Sequence, residues 1–139
     1  MTNDKNNKLT KGQKFASKAY ELVQVAAGKD DKDKYKTVAL GFPVLILSCG
    51  LAQAVSFACG KPDYQNYLAD LNEVVKVVTG KEIACVQEEN GKPKCHDKKI
   101  SEFKTVQLYM RITRDVLEAS TWIKRYAEAE IPKKNGAEK

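Results

Sequence analysis

The chain has 139 residues, 42% hydrophobic and 30% charged, a composition that excludes an unstructured tail and suits one compact domain with a sizeable core. Its 24 Lys and Arg against 18 Asp and Glu leave a net charge of +6, which favours a polyanionic partner, nucleic acid first. A single histidine, no phosphate-loop glycine pattern and no nucleophile-elbow serine exclude most enzyme chemistries, so no catalytic residue, cofactor or small-molecule substrate is assigned.

Residues 1–14 are polar and lysine-rich with no apolar block behind them, so a cytoplasmic address without a secretory signal is expected, with the four cysteines reduced. Residues 1–10 and 133–139 read as frayed tails. Phe15, Ala19, Leu22, Val23 and Ala26 recur at spacings of three and four, predicting a helix over 11–27 that Gly28 stops. A second helix begins after Asp30-Asp31, whose carboxylates suit a helix N-terminus, with Tyr35, Val38, Phe42 and Leu45 on one face. Pro43 should kink it, having no N–H to donate.

From Thr37 to Gly60 the chain runs 24 positions without a charge, 16 of them apolar. A membrane span needs about 20 such residues. Gly41, Pro43, Ser48, Gly50, Gln53 and Ser56 instead divide the run into two shorter helices that meet near Gly50, a buried hairpin with no membrane role. The second of them, 51–58, ends at Gly60-Lys61-Pro62, which places Asp63 to cap a helix over 64–78 with Tyr64, Tyr67 or Leu68, Leu71, Val74 or Val75, and Val78 inward.

Residues 81–100 lose the helical period, and Ile83 to Val86 followed by Glu89-Asn90-Gly91 reads as a small hairpin or an ordered loop. A three-residue loop there would set Cys85 opposite Cys95. The last helix is predicted over 101–131, with Tyr109, Ile112, Val116, Ile123 and Tyr126 on the core seam and Pro132 ending it. The expected fold is all-α: a single domain over 1–139, a compact bundle of five to six helices around a kinked central hairpin.

Cys85, Cys95 and His96 form the one metal-like cluster, but three ligands do not close a structural zinc site. Cys49 and Cys59 read as small core hydrophobes. The basic residues carry more information. Lys11, Lys14 and Lys18 fall within an arc of about 60° on the first helix, with no acid between them to neutralise them. Lys104, Gln107, Arg111, Arg114 and Arg125 share a seam of the last helix turned away from the core, where pairs at i,i+4 (Arg111 with Asp115, Arg114 with Glu118, Lys124 with Glu128) would make an ordinary solvated face. With Lys34 and Lys36, these cations form a candidate surface for phosphate contacts that carry no sequence information.

Two stretches resemble a known family. The first runs from Tyr35-Lys36-Thr37 through Phe42-Pro43-Val44-Leu45-Ile46 to Gly50-Leu51-Ala52-Gln53-Ala54-Val55-Ser56-Phe57; the second from Tyr109-Met110-Arg111-Ile112-Thr113-Arg114-Asp115 to Trp122-Ile123-Lys124-Arg125-Tyr126-Ala127-Glu128-Ala129. They resemble the hairpin and closing helix of the small subunit of Cmr-type (type III-B) CRISPR effector complexes. Cys49, Asp115 and the Cys85 to Cys95 loop depart from that pattern. The resemblance implies a non-catalytic, RNA-binding subunit in antiviral defence. It implies several copies of the chain in an inner filament along guide and target RNA, in company with other Cmr-type subunits. It also implies packing roles for Pro43 at the kink, Gly50 at the hairpin corner, Leu51 and Phe57 beside it, and Trp122 as anchor of the last helix. Two alternatives stand beside it: the small subunit of the related Csm-type (type III-A) complex, and a cysteine-based redox or metal protein using Cys85, Cys95 and His96.

Overall fold

The computed structural model describes residues 9–132, so the expectation of frayed ends falls outside them except at Leu9 and Thr10. Thr10 is no frayed residue. Its hydroxyl accepts from Gln13 N–H at 3.0 Å while Gln13 Oε1 accepts from Thr10 N–H at 2.8 Å, a reciprocal cap that starts α1 (Lys11–Ala27). Four further α-helices follow among the described residues: α2 (Lys32–Cys49), α3 (Leu51–Cys59), α4 (Gln65–Thr79) and α5 (Val106–Glu130). One short hairpin, β1 (Cys85–Glu89) with β2 (Lys92–His96), interrupts the series, and the fold is predominantly all-α.

The uncharged run becomes a helical hairpin. Pro43 sits within α2, buried, and Gly50 joins α2 to α3 at φ +90°, a conformation closed to side chains with a Cβ. Gly50 N–H still donates to Ile46 O at 2.8 Å, and Tyr109 of α5 accepts the otherwise orphaned Ala52 N–H at 2.9 Å. No helix among the described residues is long and apolar enough to cross a membrane. Leu51 is fully buried, whereas Phe57, 44% exposed, packs against Tyr64 at 5.5 Å between ring centroids and carries Lys61 Nζ 5.1 Å over its ring. Ile46, rather than Leu45, completes the buried face of α2, and Cys49 is exposed rather than in the core.

Helix α5 lies along α1, α2 and α4 and closes the core with Ile112, Val116, Ala119, Ile123 and Ala127. It begins at Val106, capped by the Thr105 hydroxyl on Leu108 N–H, not at 101; residues Lys98–Glu102 form a separate 3₁₀ turn, and Lys104 precedes the helix. Asp63 does not cap α4. It lies inside a 3₁₀ turn, Pro62–Tyr64, where its carboxylate meets Lys34 at 3.6 Å.

In the hairpin, Asn90 and Gly91 both take positive φ (55° and 77°), the signature of a two-residue turn, so Cys85 pairs with His96 and Val86 with Cys95. One step of register moves a side chain to the other face of the ladder, so Cys85 and Cys95 are not opposite each other, and all four cysteines are free.

Candidate nucleic-acid interface

The predicted basic surface divides into tethered and free cations. Lys11 Nζ meets Asp115 Oδ1 of α5 at 2.8 Å, against a carboxylate that is largely buried, and Lys18 meets Glu21 at 3.5 Å. The stripe on α1 is therefore not free of neutralising partners, and Asp115 serves Lys11 rather than Arg111. Lys34 is paired with Asp63, and Lys36 Nζ donates to the Ile131 carbonyl at 2.8 Å, tying the start of α2 to the end of α5. Three of these side chains join separate elements and Lys18 pairs within α1; what the four offer a phosphate is reduced accordingly.

Lys14, Arg111, Arg114 and Arg125 remain, all exposed and without an ion pair among the described residues. Lys14 borders a shallow hollow between α1 and α4 with Ser17, Lys18, Val77 and Val78. The opposite flank of α1 meets α5: a Cβ at Gly12 would lie 2.9 Å from Glu118 Oε2, and Tyr20 meets Tyr126 edge to face at 5.2 Å. Lys14 and the arginines thus lie on different sides of α1. At about 100° per residue, Arg111, Arg114 and Arg125 project within about 60° of one another, along the outer ridge of α5.

Trp122 borders that ridge. It is partly buried rather than sunk in the core: Tyr126 stacks on it at 5.8 Å with 23° between the rings, and Arg125 lies 5.0 Å over the ring. Trp122 thus packs against the core as a partly buried side chain and carries these two contacts as well.

The sulfur chemistry is muted. Burial pushes the Cys59 thiol up to about 12 and the Cys95 thiol up to about 11, leaving both protonated and unreactive at neutral pH. Cys95 is buried, with its N–H donated to Gln65 Oε1 at 2.7 Å and its thiol turned to Gln65 O at 3.7 Å, while Cys85 and His96 share the other face of the ladder. No group of three or more His, Cys, Asp or Glu positioned to hold a metal occurs among the described residues.

Sequence spacing missed three polar residues that fix the interior. Gln65 Nε2 donates to the carbonyls of Ala58, Cys59 and Lys61, joining the end of α3 to the hairpin. Asn72 Oδ1 accepts from Ile83 and Ala84 N–H at 2.7 and 3.2 Å, and Asp70 accepts from Tyr35 Oη at 2.7 Å. Their partners lie 4 to 35 residues away and mostly in other elements, so only a polar residue interrupting the apolar face of a helix could have flagged them.

The profile of the family described as CRISPR-associated protein (Cas_Cmr5) matches residues 11–130. A protein of Thermus thermophilus described as CRISPR system Cmr subunit Cmr5 is 35% identical over 124 residues, 88% of this chain and 96% of that protein. The crystal structure of a CRISPR-associated Cmr5 family protein from the same species superposes with a TM-score of 0.71 at 30% identity, covering 89% of this chain and 100% of that one. The length of these matches, with the same helical fold behind them, places the chain in the Cas_Cmr5 family of CRISPR-associated proteins.

Proposed function

We propose that this protein is the small, non-catalytic subunit of a cytoplasmic Cmr-type (type III-B) RNA-guided complex. Several copies pack beside the other Cmr-type subunits as an inner filament along guide and target RNA, in antiviral defence. The observation that carries this reading is the match to a Cmr subunit over nearly the whole of both chains. The contact to RNA is electrostatic and independent of sequence, made chiefly by Arg111, Arg114 and Arg125 on the outer ridge of α5, with Lys14 a separate point on α1. That these four cations carry no ion pair among the described residues supports that assignment, whereas Lys11, Lys18, Lys34 and Lys36 act first as ties between or within elements. Clustered cations release counterions from any phosphate backbone, and base pairing between guide and target then supplies the specificity. The test is co-expression with the neighbouring gene products. The chain should co-purify in more than one copy with them and with RNA; recovery of an RNA-bearing complex that lacks this chain would overturn the reading.

A further inference from the structure

The ring stack beside the free arginines has a geometry that charge alone does not require. Arg125, exposed, lies 5.0 Å over the Trp122 indole; Tyr126 stacks on the same indole at 5.8 Å; Tyr20, 45% exposed, meets Tyr126 edge to face at 5.2 Å. Tyr126 stacks on the indole and Tyr20 of α1 braces Tyr126, a row of ring contacts that restrains the indole before any ligand arrives. The guanidinium over the indole belongs to an exposed side chain, so this face of the partly buried ring is covered by a group that reaches water. We propose that this indole is a stacking site for one base of single-stranded RNA, which takes the place of the Arg125 guanidinium. This rests on the RNA-binding reading above and adds to it a contact with a base.

Two physical points favour a base there. Base–aromatic stacking is the stronger contact, since an exposed guanidinium over a ring remains well hydrated and gains little from it. Displacement also frees Arg125 to meet the phosphate of the stacked nucleotide, so its charge is used rather than lost. Arg114 stands 11 residues earlier on the same ridge, about 16 Å along the helix axis, a span of two to three nucleotides. Every base presents a π face, so the site accepts any sequence. A duplex keeps its bases stacked on one another and has none to offer.

Trp122 is the only tryptophan, so its emission reports this site alone. The full-length chain is titrated with a single-stranded oligo-uridine, with a duplex RNA of equal length, and with heparin, which carries the charge without the bases. Binding is followed in parallel by anisotropy. Saturable quenching by oligo-uridine only is the expected result. Trp122→Leu should weaken oligo-uridine binding about tenfold while leaving heparin binding unchanged, and Trp122→Phe should restore most of the affinity. Should the leucine variant fail to fold, Tyr20→Ala together with the wild-type emission serves instead, with a smaller weakening expected. Oligo-uridine binding without quenching overturns the stacking site and leaves the electrostatic reading standing; equal quenching by heparin overturns it as well. Absence of binding to either polymer counts against both.

Discussion

Tyr67 shows how a single residue can be well packed and poorly satisfied. Its ring is fully buried against Tyr35 and Phe42, at 5.8 and 5.3 Å between centroids, and its hydroxyl has no hydrogen-bond partner among the described residues. A buried orphan hydroxyl costs about 1 to 3 kcal/mol, so Tyr67→Phe, which keeps the ring, should leave the protein equally stable or up to about 2 kcal/mol more so in urea denaturation. Loss of stability would show that the hydroxyl is bonded after all. Close by, burial pushes the Asp70 carboxyl up to about 6, against the Tyr35 hydrogen bond and the charges of Lys29 and Lys18, which lower it. The folded state then holds this proton more tightly than the unfolded chain. Its contribution to stability is full below about pH 4 and falls as pH rises to about 6, because above that the carboxylate must be buried charged. Asp70→Asn should therefore raise stability at pH 7, by on the order of 2 kcal/mol, and by progressively less toward pH 4. A difference independent of pH between variant and wild type would contradict the assignment.

At the scale of elements, the helices were legible because their apolar residues recur at the helical period, and Gly28, Gly50, Gly60 and Gly80 mark their ends in the structure. The hairpin was legible as a hairpin but not in register. Glu89-Asn90-Gly91 admits a two- or a three-residue loop, and only the paired positive φ of Asn90 and Gly91 decides between them. With Cys95 facing inward beside Gln65, mild oxidation should yield no Cys85–Cys95 disulfide; a high yield of that cross-link by mass spectrometry would contradict the register. Gln65 itself went unread, since nothing local says that a glutamine at the start of α4 will bond the end of α3 and the second strand of the hairpin. Gln65→Ala leaves the buried Cys95 N–H and the Ala58 carbonyl without these partners, and should cost about 2 to 4 kcal/mol by thermal or urea unfolding. A cost below about 0.5 kcal/mol would mean that the hairpin docks by apolar contact alone.

Across the whole molecule, the same sequence that displayed the fold concealed which cations are free. Lys11 and Asp115 are 104 residues apart, and Lys36 and Ile131 are 95 apart, so no spacing along the chain announces either contact. An isolated helix presents Lys11, Lys14 and Lys18 as one stripe; only the packing of α1 on α5 shows that part of it is used internally. What remains is a ridge of arginines on the helix that closes the core, next to a fixed row of aromatic rings. The most direct measurement is target-RNA retention by the assembled complex carrying Arg111→Glu and Arg114→Glu, across a series of salt concentrations. The account predicts weaker retention of all target sequences alike, a log–log salt slope flatter by roughly 0.7 for each single-strand phosphate no longer neutralised, and unchanged assembly, since both side chains lie outside the core. Retention and salt slope equal to wild type, in a complex that assembles normally, would contradict it and place the RNA-facing surface elsewhere.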